Sequence, residues 1–209
     1  MPSITRRSRA TRRERRDTVR DQLLAAIERL VERGESYTEL SVERLVEEAG
    51  ISRSTFYVYF ADKGELLGSL AEDSIAAMIE AGRWWWELPP SALKEDVQGA
   101  LRTVFDTYLE HRGLFAAVVE VAGYDSAVRE QFGGLMERVI DELADHIRRG
   151  QDAGYVHEDL DPQRTAAWLC WMAERGLYQL VAGADEHQRE ALLQALTDIV
   201  WHTLYEGKR

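Results

Sequence analysis

The chain has 209 residues, of which 45% are hydrophobic and 30% charged, and a formal net charge of -11. That length suits a small module joined to a larger one, and the ordinary composition excludes general disorder. A single cysteine, Cys170, excludes an intrachain disulfide, and the lack of a long uncharged apolar window excludes a membrane span.

Charge is unevenly placed. Residues 1–20 carry eight arginines against Glu14 and Asp17, a net +6, which leaves -17 for the remainder. An acidic surface repels a polyanion, so the asymmetry points to a basic tail that meets nucleic acid and an acidic body that does not. No apolar run follows the basic start, so no export signal is expected and the protein is placed in the cytoplasm, at the nucleoid when bound to DNA.

Residues 1–16 lack apolar periodicity and are expected to form a flexible basic arm, either a solvated tail or a strand laid along DNA. From Asp17 to near Gly34, Val19, Leu23, Ala26, Ile27 and Leu30 recur at helical spacing, the pattern of a first amphipathic helix. Ser41 is an N-cap, Val42, Leu45, Val46 and Ala49 form the stripe of a second helix, and Gly50 stops it.

In the third helix Ser52 is the expected N-cap, with Ile51 and Phe56 at the positions of a hydrophobic staple. At about 100° per residue, Arg53, Ser54 and Tyr57 then share a face turned away from Phe56. One side is core and the other is free to read a partner. Asp62 and Glu65 have capping-box spacing around Lys63, a cation in a first helical turn where the macrodipole opposes it. Either an anion sits beside it or the lysine projects into solvent.

A fourth helix runs on to Gly82, followed by Trp84, Trp85 and Trp86 and then by the break at Pro89-Pro90. Three adjacent tryptophans cannot all face one core, so ligand contact and plain burial both stay open. Helical patterns follow over Leu93–His111, Leu114–Val121, Asp125–Arg149, Asp161 to about Ala182, and Asp185–Tyr205, with Asp161-Pro162 a strong helix start. The last two have broad apolar faces, which suits a four-helix dimer interface over about 161–205 or an ordinary intrachain core.

The stretch SVERLVEEAGISRSTFYVYFADKGELL at 41–67 resembles the DNA-binding domain of the TetR family of bacterial transcriptional regulators. WMAERGLY at 171–178 and IVWHTLY at 199–205 are similar to one branch of that family, although Cys170 and Ala173 stand where that branch has asparagines. The resemblance implies an all-α homodimer: a three-helix helix-turn-helix domain, taken as 17–62, followed by a six-helix ligand-binding and dimerisation domain over 63–209. It further implies that Arg53, Ser54 and Thr55 face bases, and that Tyr57 and Lys63 touch phosphates. Tyr59 matches a position near the DNA backbone, and Ser41 is grouped with the phosphate contacts.

The function expected is a ligand-responsive regulator, a repressor by the family's default, that binds operator DNA and is released by a hydrophobic or aromatic small molecule. Met78, Trp85, Phe105, Tyr108, Phe115, Trp168, Trp171 and Met172 are the expected pocket residues, with Glu120 and Glu174 as polar anchors. Glu174-Arg175 has a second reading as a pair across the dimer. The alternatives are an architectural DNA-binding protein without an effector and a helical-bundle enzyme. The enzyme fares poorly, since the five histidines show no metal-binding spacing and no glycine-rich phosphate loop is present. No cofactor, metal or catalytic residue is expected.

Overall fold

The computed structural model describes residues 4–206, with side chains from 14 to 206. Its elements are all helical: α1 (Ile4–Glu32), α2 (Val42–Ala49), α3 (Arg53–Tyr59), α4 (Lys63–Trp86), α5 (Lys94–Glu110), α6 (Arg112–Ala122), α7 (Ser126–Asp152), α8 (Pro162–Gly176) and α9 (Glu186–Leu204). A π-helical turn, Leu177–Val181, continues α8. No strand occurs among the described residues.

The helix ends follow local chemistry. Ser41, Ser52, Asp161 and Asp185 each accept a backbone N–H of the first turn that follows them, which satisfies donors that the helix itself leaves open. Gly50 ends α2 at φ 68°, the left-handed region that glycine enters without a Cβ clash. Helix α1 starts earlier than expected. Its backbone is helical from Ile4, where the sequence reading has a flexible arm through residue 16. Arginine and alanine are good helix formers and no glycine or proline interrupts residues 4–16, so nothing there ends the helix. Residues 1–3 and the side chains of 4–13 lie outside the described residues, and with them the arm's DNA contacts.

The chain forms two compact units, residues 1–72 with 113–130, and residues 73–112 with 131–209. The domain boundary expected between 62 and 63 differs from the edge of the first compact unit, which runs on to Glu72 within α4 and takes in 113–130; Leu66, Leu67 and Leu70 of α4 are buried core.

In the first unit, Leu23, Ile27 and Leu30 of α1, Leu45 of α2, Phe56 of α3, Leu66 and Leu67 of α4 and Leu114 of α6 are fully buried. Glu28 fastens α6 to α1 by accepting the backbone N–H of Gly113 at 2.7 Å and of Leu114 at 2.9 Å. The approach is close, since a Cβ on Gly113 would stand 3.1 Å from the Glu28 Cα and nearer still to its carboxylate, which would have to shift.

In the second unit, α5 and α9 are joined along their exposed edge. Arg102 grips Glu190 bidentately at 2.7 and 2.8 Å, and Gln98 donates to Gln194 at 3.0 Å. Leu193, Thr197, Val200 and Leu204 face the interior, with the Thr197 hydroxyl donating to the Leu193 carbonyl at 2.8 Å.

Candidate nucleic-acid interface

Helix α3 is seven residues long, too short to hold itself in water, so its ends and one buried face must fix it. Ser52 Oγ accepts the Thr55 N–H at 3.0 Å, and Phe56 and Phe60 are buried with ring centroids 5.7 Å apart. The opposite face is open. Arg53 and Ser54 are exposed, Tyr57 is 47% exposed, and Thr55 and Tyr59 are half-buried. Arg53, Ser54 and Tyr57 thus share a free face, as their spacing requires.

Arg53 does not hang free in water. Its guanidinium pairs with the carboxylate of Glu43 in the first turn of α2, and its Cζ lies 5.6 Å from the centre of the Tyr57 ring. A hydrogen bond with Tyr57, and after it the negative charge of Glu43, raises its pKa and holds it in its charged form. Ser41, the N-cap of α2, is exposed and accepts the Arg44 N–H at 3.1 Å, and its hydroxyl still has a proton to give.

Lys63 has a different setting from the phosphate contact expected of it. Its ammonium donates to the carbonyls of Tyr37 and Thr38, each at 3.1 Å, and to that of Leu40. Three donors meet three acceptors, so the lysine ties the turn between α1 and α2 to the start of α4. Burial lowers its pKa, with the negative charge of Glu120 opposing that shift. In return Tyr37, buried beside it, donates its hydroxyl to the Lys63 carbonyl at 2.8 Å. The sequence signal of a cation against a helix dipole is real, but main-chain oxygens answer it.

The same turn is held from its other side by Glu120 of α6. Its carboxylate accepts the N–H groups of Tyr37 and Thr38, each at 3.1 Å, and the hydroxyls of Ser36 and Thr38. Burial pushes this carboxyl up, and the four hydrogen bonds outweigh burial, so its pKa is lowered. Glu120, expected as a polar anchor of the ligand pocket, thus spends its carboxylate on this turn within the first unit.

The other expected pocket residues are dispersed. Phe115 is buried in the first unit. In the second unit Trp85, Phe105 and Tyr108 are buried, Met78 and Glu174 are half-buried, and Trp171 and Met172 are exposed. Trp168, expected as a pocket residue on a helix face open to either a dimer interface or an intrachain core, is 79% exposed in the single chain. Of the tryptophan triplet, Trp84 is exposed, Trp85 buried and Trp86 between the two. Burial holds the Glu174 carboxyl above its usual range.

Glu28, Glu43 and Glu120 were missed as determinants of this surface. Glu120 had one available sign, a lone acid in the apolar run LFAAVVEVA, and Glu43 had its place in a helix's first turn.

Among known proteins, residues 97–206 match the family "Transcriptional regulator EthR, C-terminal domain" and residues 23–70 match "Bacterial regulatory proteins, tetR family". The HTH-type transcriptional regulator EthR of Mycolicibacterium smegmatis is 28% identical over 204 residues, covering 96% of this chain and 93% of the relative. EthR of Mycobacterium tuberculosis is 28% identical over 203 residues, covering 97% and 94%. The solved structure of the regulator FadR from Bacillus subtilis, in complex with stearoyl-CoA, superposes with a TM-score of 0.70 at 18% identity, covering 86% of this chain and 96% of that one.

Proposed function

The chain belongs to the TetR family of bacterial transcriptional regulators, in the branch with an EthR C-terminal domain, and we propose that it is a homodimeric repressor released from its operator by a hydrophobic small molecule. The observation that carries the DNA-binding half is the open face of α3. A capped helix with one buried face presents Arg53, Ser54 and Tyr57 outward, a set that suits guanine edges and phosphates. Thr55 and Tyr59 flank that face, and Ser41 offers a hydroxyl beside it. Two copies of α3 then enter successive major grooves about 34 Å apart.

Support for the dimer comes from large apolar side chains left exposed on the last two helices and the turn between them. Trp168, Trp171, Met172, Leu180 and Ile199 are all exposed in the single chain, and an apolar set of this size calls for a partner. A second copy, paired through the last two helices, covers it symmetrically.

Release requires an effector that binds the DNA-incompetent form more tightly, and a hundredfold loss of DNA affinity needs about 2.7 kcal/mol of such preference. The aromatic residues of the second unit favour an apolar or aromatic effector. FadR of Bacillus subtilis, in complex with stearoyl-CoA, makes long-chain acyl-CoAs the first compounds to try.

The test is fluorescence anisotropy on duplexes from the DNA flanking the protein's own gene, with and without saturating apolar ligands. Salt-sensitive, sequence-selective binding that a ligand reverses supports the reading. Selective binding indifferent to every ligand supports the architectural alternative, and no duplex binding overturns both.

A further inference from the structure

Two sets of ion pairs join α2 to its surroundings. On one side Arg29 and Arg33 both pair with Glu48, and Arg44 pairs with Glu35. These bonds bind α2 to α1 and to the turn that follows α1, and spend the charges on each other. On the reading side, Arg53 of α3 pairs with Glu43 of α2. The two side chains are 61% and 57% exposed, so the pair adds little to folding. A carboxylate at this place also weakens attraction to any polyanion, a cost that a merely solvated acid elsewhere on α2 does not impose.

We propose that Glu43 is a positioning and specificity-determining residue: its carboxylate holds the Arg53 guanidinium for a base edge and away from phosphates. This rests on the DNA-reading function proposed above. An arginine left free on a reading helix pairs with any phosphate it can reach, and that contact strengthens binding to every sequence alike. Glu43 neutralises this charge at one edge of the guanidinium. A guanidinium has five N–H donors in a planar fork, so the donors engaged by neither the Glu43 carboxylate nor Tyr57 can meet guanine O6 and N7. The Tyr57 ring, 5.6 Å from the Arg53 Cζ, limits the fork from another side. Glu43 therefore lowers affinity for random DNA more than affinity for the chosen site.

The experiment uses the full-length protein and a library of random 30-base-pair duplexes to select preferred sequences. Anisotropy at several salt concentrations then compares the selected duplex with a scrambled one, for the wild type, Glu43→Gln, Glu43→Asp, Arg53→Ala and the Glu43→Gln/Arg53→Ala double variant. In Glu43→Gln, scrambled DNA is expected to bind about tenfold more tightly, with a salt slope steeper by about one phosphate contact. Preference at one base pair of each half-site falls, Glu43→Asp restores it, and the effect of Glu43→Gln disappears in the Arg53→Ala background.

A ratio of selected to scrambled affinity that stays within twofold of wild type in Glu43→Gln overturns the inference. So does an effect of Glu43→Gln that persists without Arg53, which makes Glu43 a direct contact. In both cases the wild type still selects a sequence, so the DNA-reading function stands. A wild type that selects none overturns that function and this inference with it.

Discussion

The backbone N–H of Tyr37 donates to the Glu120 carboxylate at 3.1 Å, across 83 positions of sequence. Together with the bond that the Gly113 N–H donates to the Glu28 carboxylate, it makes α6 part of the unit that carries α3. The turn between α1 and α2 thus hangs between an acid from α6 and a lysine from α4.

Replacing Glu120 by alanine removes four accepted hydrogen bonds from that turn and is expected to cost about 2 kcal/mol. The pH dependence has a definite sign. The folded carboxyl titrates below its unfolded value, so its contribution is complete above the unfolded pKa and is lost as pH falls through the folded one. Urea midpoints at pH 7 and at acid pH check this, and the gap between the two proteins should narrow at the acid end. An equal gap at both pH values would refute the assignment.

Lys63→Met separates two roles that look alike in a binding assay. A lysine that touches phosphate contributes to the salt slope, and its loss flattens the slope by about one contact without lowering stability. A lysine spent on three carbonyls should instead lower the unfolding temperature by several degrees. The expected outcome is a less stable protein that binds all duplexes more weakly with its salt slope nearly unchanged.

Much of this architecture is written locally. The N-caps Ser41, Ser52, Asp161 and Asp185 and the stop at Gly50 lie within a few residues of what they satisfy, so pattern and capping chemistry suffice to find them. The face shared by Arg53, Ser54 and Tyr57 follows from helical geometry alone. What the sequence hid is non-local. The partners of Glu28, Glu43 and Glu120 lie on other helices, and no periodicity marks which acid meets which N–H or guanidinium. Lys63 shows the same limit, since the dipole argument requires an acceptor but does not distinguish a phosphate from a carbonyl. The exposure of Trp168 is hidden for a related reason, because a broad apolar helix face reads alike whether its cover is intrachain or a second copy.

Cys170 sits buried on α8, and burial pushes its thiol up to about 12. Only the thiolate attacks alkylating and disulfide reagents, so native protein should react with them at least roughly a hundredfold more slowly than protein unfolded in urea. A thiol assay with a chromogenic disulfide at pH 8 measures this. Fast reaction of the native chain would contradict the burial.

His146 gives the sharpest pH prediction, because its hydrogen bonds determine where its proton sits. Trp85 Nε1 donates to the Tyr205 hydroxyl at 2.8 Å, so that hydroxyl has its own proton to give and directs it to His146 Nε2, also at 2.8 Å. The remaining nitrogen, Nδ1, carries the hydrogen and faces the Trp86 carbonyl at 3.3 Å. The ring is thus neutral, enclosed by Trp85, Tyr155 and Tyr205. Burial lowers its pKa to about 4, with the Trp86 carbonyl opposing and the positive charge of Arg149 reinforcing the shift. Between that value and about 6.5 the unfolded chain binds a proton that the folded one refuses, so stability falls as pH falls through this window. The loss should reach about 2 kcal/mol by pH 5 relative to pH 7.5. His146→Gln keeps a polar side chain without the titration, and is expected to be less stable at pH 7.5 while losing about 2 kcal/mol less on acidification to pH 5. Urea denaturation of both proteins at the two pH values tests it, and parallel losses in wild type and variant would show that His146 is not the group refusing the proton.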